Sequence, residues 1–66
     1  MLGTVKFFLA TQSYGFIAIE GGLDFFFHGA QVVGEVPKAG DQVSFWLSDD
    51  SRGRLEAVEV QVRTRF

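Results

Sequence analysis

The stretch SYGFIAIEGGLDFFFH, residues 13–28, decides the fold. Both of its halves are rich in aromatic and β-branched residues, which suit a pleated sheet. Between them Gly21-Gly22 supply the positive φ that a tight turn demands. The pattern predicts one strand over Ser13–Glu20, a second over Asp24–His28, and a β-hairpin joining them. Successive side chains of a strand point to opposite faces. Ile17 and Ile19 therefore share a face with Gly15, and Tyr14, Phe16 and Ala18 share the other. In the second strand Phe25 and Phe27 lie on one face, and Asp24, Phe26 and His28 on the opposite one. The isoleucines with Phe25 and Phe27 form the expected core layer. Tyr14, Phe16, Phe26 and His28 are left on the outer face of two neighbouring strands.

Outward from the hairpin the chain continues to read as strand. TVKFFLA at 4–10 precedes it; QVSFWLS at 42–48 and LEAVEVQV at 55–62 follow, separated by the polar turn DDSRG at 49–53. In the 42–48 strand Val43, Phe45 and Leu47 share a face, so Trp46 is expected outside. Residues 29–40 show no periodicity, contain the sole proline, Pro37, and read as a long connection. The last four residues, 63–66, are expected to fray. Five short strands joined mostly by tight turns must either close or leave edges, and a small antiparallel barrel removes the edges. An SH3-like barrel or an open sheet are the alternatives.

Composition narrows what such a barrel does. Sixty-six residues make one domain, 1–66, and chains this short bury only about 60% of their unfolded surface. There is no cysteine and a single histidine, so disulfides and thiolate metal sites are excluded, and no cofactor is expected. Nothing assembles a nucleophile, base and oxyanion site, so the chain reads as a non-enzyme. Asp41 with Asp49-Asp50 lacks the ligand spacing of a calcium loop and reads as solvated turn. No apolar run approaches the roughly 18 residues of a membrane span, and no signal peptide opens the chain. Six basic residues against eight acidic ones argue against binding a polyanion through bulk charge. Aromatics are the surplus: eight Phe, one Trp and one Tyr. The outward rings either cover a thin core or await a flat partner. Bases are such a partner, since each has a π-face and stacking contributes roughly 1–3 kcal/mol per base.

Four segments carry a family resemblance: GTVKFF at 3–8, YGFI at 14–17, DFFFH at 24–28 and RG at 52–53. In order and spacing they resemble a bacterial cold-shock domain, with YGFI similar to its first ribonucleoprotein motif and FFFH to its second. The resemblance implies a five-stranded Greek-key barrel of the OB-fold class. It also implies a cytoplasmic protein that binds single-stranded RNA or DNA, as an RNA chaperone or antiterminator does. By position, the residues it implies for binding are Lys6, Phe7, Tyr14, Phe16, Phe26 and His28, with Arg52 as a backbone contact. Phe7 stands where that family usually has Trp. Strict alternation from Val5 would turn Phe7 inward, and a bulge would reconcile the two.

The chain departs from the family at the rim. Gln12 and Ser13 replace the usual lysine and glycine, Leu9 stands for a polar residue, and Gly29 follows His28 where an aromatic is common. Fewer cations mean fewer released counterions and a shallow salt slope. Trp46 is a further oddity, on a face where the family usually has a polar residue. It underlies the alternative reading, a protein-interaction module on the same barrel. A monomer and a strand-exchanged dimer are both open to so small a barrel with a long hinge.

Overall fold

A computed structural model describes residues 1–49 and 53–63. Five strands run in chain order: β1 (Leu2–Leu9), β2 (Tyr14–Ala18), β3 (Asp24–His28), β4 (Gln42–Asp49) and β5 (Leu55–Val62). They close a barrel in the spatial order β1-β2-β3-β5-β4. The all-β, five-stranded closed architecture is the one expected. The expected antiparallel pairing holds at every seam but one: β3 and β5 run parallel, through Phe26↔Glu56 and Phe27↔Ala57. A simple meander would have set β3 beside β4. Instead the long connection after β3 carries the chain across the barrel, so β4 pairs with β1 and β5 fills the gap.

The hairpin forms as its glycines dictate. Ile19 N–H donates to the Leu23 carbonyl at 2.9 Å, and Gly21 and Gly22 adopt φ of +102° and +92°. β2 is shorter than expected at both ends, while β1 begins earlier, at Leu2. The patternless connection opens with a 3-10 turn over Gly29–Gln31 and adds a parallel bridge from Val32 to Val60.

The core comprises Val5, Ile17, Phe27, Val43, Phe45, Ala57 and Val60, all essentially sealed from solvent. Each large side chain there contributes roughly 1.5–3 kcal/mol of transfer free energy. Ile19 and Phe25, expected in the same layer, are half-buried and pack against it from the rim. Phe8 stacks on Phe27 at 5.5 Å, nearly parallel. That contact needs Gly15, because a β-carbon there would meet the Phe27 ring at 2.9 Å and strike the Phe7 carbonyl.

Two bulges shape the outer surface. In β1 the register steps from Val5↔Ile17 to Phe7↔Phe16, leaving Lys6 as the extra residue. Val5 stays buried while Lys6 and Phe7 both emerge outside, as a bulge permits and strict alternation does not. In β5 the register steps from Trp46↔Val58 to Ser44↔Gln61, with Glu59 at φ +52°. Val58 and Glu59 therefore both face outward between the buried Ala57 and Val60.

Candidate nucleic-acid interface

β1, β2 and β3 set three aromatic residues in one cross-strand row, because Phe16 pairs with Phe7 on one side and with Phe26 on the other. Tyr14, two residues before Phe16, shares its face and pairs with His28. The four rings touch in a closed set. Phe7 lies 5.6 Å from Phe16 and 6.1 Å from Tyr14; Phe26 lies 5.8 Å from both Tyr14 and Phe16. Phe7–Tyr14 and Phe16–Phe26 meet edge to face, whereas Tyr14 and Phe26 are stacked with planes 22° apart. These arrangements suit the ring quadrupoles and fix the orientation of each ring. Phe7 is 36% exposed, and the other three are half-buried, largely by one another. The rings thus cover part of the sheet and still present faces and edges to solvent.

Polar groups stand at two sides of this cluster. Lys6 Nζ lies 2.9 Å from Asp24 Oδ2, both side chains being substantially exposed. An exposed pair of this kind contributes at most about 1 kcal/mol and exchanges readily for another anion. Asp24 belongs to the same strand face as Phe26 and His28, so the sequence parity already located it; its bond to Lys6 depends on the β1 bulge. At the other end His28 is exposed, and its Nδ1 accepts a hydrogen bond at 3.2 Å from Ala30 N–H, capping the 3-10 turn. With Nδ1 as acceptor, the neutral ring carries its proton on Nε2, free to donate outward.

Six of the seven residues singled out from the sequence thus share one surface: Lys6, Phe7, Tyr14, Phe16, Phe26 and His28. Arg52 lies outside the described residues. Gln12 and Ser13 close the β1–β2 turn, both amides donating to the Leu9 carbonyl, at 3.0 and 2.7 Å. Ser13 takes φ +60°, a conformation that L-residues adopt at a cost. Asp41 Oδ2 accepts from Lys38 N–H at 2.9 Å within its own turn. Among the described residues no three acidic or histidine side chains gather as metal ligands, and no helix is long and apolar enough to cross a membrane.

Comparison with known proteins bears on this surface. The family model described as "'Cold-shock' DNA-binding domain" matches residues 1–63. The chain is 43% identical over 63 residues to cold shock protein CspB of Geobacillus stearothermophilus, covering 91% of this chain and 96% of that protein. It is 41% identical over 63 residues to major cold shock protein CspA of Pseudomonas aeruginosa, covering 91% and 90%. Among solved structures, drosophila Unr CSD456 superposes with a TM-score of 0.76 at 24% identity, over 96% of this chain and 26% of that one. The last likeness shows the fold.

Proposed function

The chain belongs to the cold-shock domain family, whose members bind nucleic acid, and from that premise we propose that its aromatic cluster holds single-stranded RNA or DNA by base stacking. The observation that carries the reading is the contiguity of Phe7, Tyr14, Phe16 and Phe26 on one outer sheet surface. Four oriented rings offer stacking sites to successive unpaired bases, and duplex DNA hides its base faces from them. His28 donates from Nε2–H to a base edge or phosphate beside Tyr14, a role supported by Nδ1 accepting from Ala30 N–H. Lys6 exchanges Asp24 for a phosphate oxygen, and Arg52 supplies a second backbone contact. Stacking holds the strand whatever its sequence. That is the property an RNA chaperone or antiterminator uses when it keeps weak secondary structure open.

The test is a pair of binding isotherms, one for an oligonucleotide as a single strand and one for the same sequence as duplex, each at two salt concentrations. Tight single-strand binding with little duplex binding is expected. Equal affinity for the two forms would remove the stacking mechanism.

A further inference from the structure

The outer face of β1–β3 holds a second cross-strand row beside Phe7–Phe16–Phe26. Leu9 pairs with Tyr14, and Tyr14 pairs with His28. Phe8, between Phe7 and Leu9, turns inward and stacks on Phe27, so Leu9 returns to the face of the rings. Leu9 is 41% exposed and stands where the family usually has a polar residue. Base stacking alone does not call for it, because leucine has neither a π-face nor a charge. Its backbone carbonyl is already committed, accepting from the amides of Gln12 and Ser13 at 3.0 and 2.7 Å. What Leu9 presents to a ligand is its pair of methyl groups.

We propose that Leu9 is a specificity-determining residue, which makes the Tyr14 position of the ring cluster select thymine over pyrimidines that lack the 5-methyl group. The inference rests on the stacking function proposed for the rings and deepens it. A base on Tyr14 has His28 at one flank and Leu9 at the other, each one strand spacing away, about 5 Å. The two flanks differ in chemistry. His28 offers a donor at Nε2, its Nδ1 being occupied by the Ala30 amide, whereas Leu9 is wholly apolar. Positions 2 and 5 of a pyrimidine ring lie opposite each other. A base whose O2 accepts from His28 therefore turns C5 toward Leu9. Thymine carries a methyl group there, and apolar side chains recognise it. Uracil and cytosine keep the O2 contact and leave Leu9 against a bare edge. Lys6 stands away from this row, bonded to Asp24, which pairs with Ala18 at the far end of β2. The Phe7–Phe16–Phe26 row stacks bases of any kind; the Leu9–Tyr14–His28 row reads one of them.

Isotherms for short oligomers of deoxythymidylate and of deoxyuridylate test this, since the two share sugar and phosphates and differ only in the methyl group. Wild type should bind the thymine oligomer more tightly. Part of that margin belongs to stacking, because a methyl group enlarges any stacked base, and Leu9→Asn isolates the rest. The ratio of the two affinities should fall about fourfold in Leu9→Asn, the fold-change for one buried methyl-sized group, with deoxyuridylate binding little altered. Leu9→Ile should keep the wild-type ratio. Leu9→Ser should give the same fall if the asparagine variant does not fold. A ratio equal in wild type and the polar variants overturns the proposal. So does an equal loss of affinity for both oligomers, which would make Leu9 a support for the Tyr14 ring and not a reader of the base. Failure of wild type to bind either oligomer overturns the stacking function itself, and this inference with it.

Discussion

Ser13 and Gly29 form one interlocked contact between the β1–β2 turn and the end of β3. Gly29 N–H donates to the Ser13 carbonyl at 2.7 Å, and a β-carbon on Gly29 would collide with the Ser13 hydroxyl. Two departures from the family pattern, a serine for glycine and a glycine for an aromatic, are therefore a single structural unit. The serine occupies a left-handed position and fills space that a residue at 29 would need. Ser13→Gly should stabilise the fold by about 1 kcal/mol, because glycine carries no penalty at positive φ. Gly29→Ala alone should destabilise, and the double variant should recover most of that loss. Denaturant melts of the four proteins give the coupling energy directly; strict additivity would mean the side chains do not meet.

Truncating the outer and inner rings should separate binding from stability. Phe27 is fully buried, so Phe27→Ala should cost about 3–5 kcal/mol of folding free energy. Phe16→Ala and Phe26→Ala should each weaken single-strand binding by roughly 1–3 kcal/mol. They also lose ring–ring contacts, at about 0.5–1.5 kcal/mol per pair, so a smaller fall in stability accompanies them. Thermal melts beside titrations check this. A stability loss at Phe16 equal to that at Phe27 would assign the outer rings to the core.

Salt should affect binding gently. Lys6 is the cation of the ring cluster, and Arg52 is the proposed second contact. With a single-strand slope of about −0.7 per phosphate neutralised, two or three contacts give a log–log slope of about −1.4 to −2.1. Gln12→Lys adds a cation at the turn next to Tyr14 and should steepen the slope by about 0.7 while tightening binding. Base preference should stay unchanged, since phosphate contacts carry no sequence information. A wild-type slope much steeper than about −3 would require cations beyond these.

Gly15 should tolerate no side chain. Its missing β-carbon is what lets the Phe8–Phe27 stack lie under the sheet. Gly15→Ala displaces both a ring and a backbone carbonyl, an overpacking expected to cost about 1–3 kcal/mol or more. A melting curve indistinguishable from wild type would mean that β2 shifts freely to make room.

The hairpin was legible because its information is local. Period-two alternation sorted Tyr14, Phe16 and Phe26 from Ile17 and Phe27, and the glycines marked the turn. β3 and β5 end where their hydrophobic runs end. Two features were less accessible. The bulge that brings Lys6 and Phe7 to one side is a register step, which leaves no mark in composition; only the resemblance asked for it. The parallel β3–β5 ladder joins residues far apart in sequence, and alternation is the same for either strand direction. Alternation set Trp46 outside, where it is found.

The parallel ladder also has a consequence in time. It consists of two rungs, Phe26↔Glu56 and Phe27↔Ala57, each closing a separation of 30 residues (56 − 26 and 57 − 27). Every other seam of the barrel is a longer antiparallel ladder. Loop closure at that distance gives up chain entropy for only two rungs, whereas the β1–β4 ladder, which spans 38 to 42 residues (42 − 4 to 44 − 2), gains three. The β3–β5 seam is thus expected to zip late in folding and to open early in unfolding. One strand of the ring cluster, β3, borders that seam, so transient release of β5 would loosen Phe26 before the β1–β2 pair lets go of Phe7 and Phe16. A base stacked on Phe26 would accordingly have a shorter dwell than one stacked across Phe7 and Phe16, and the bound strand would peel from the β3 side first.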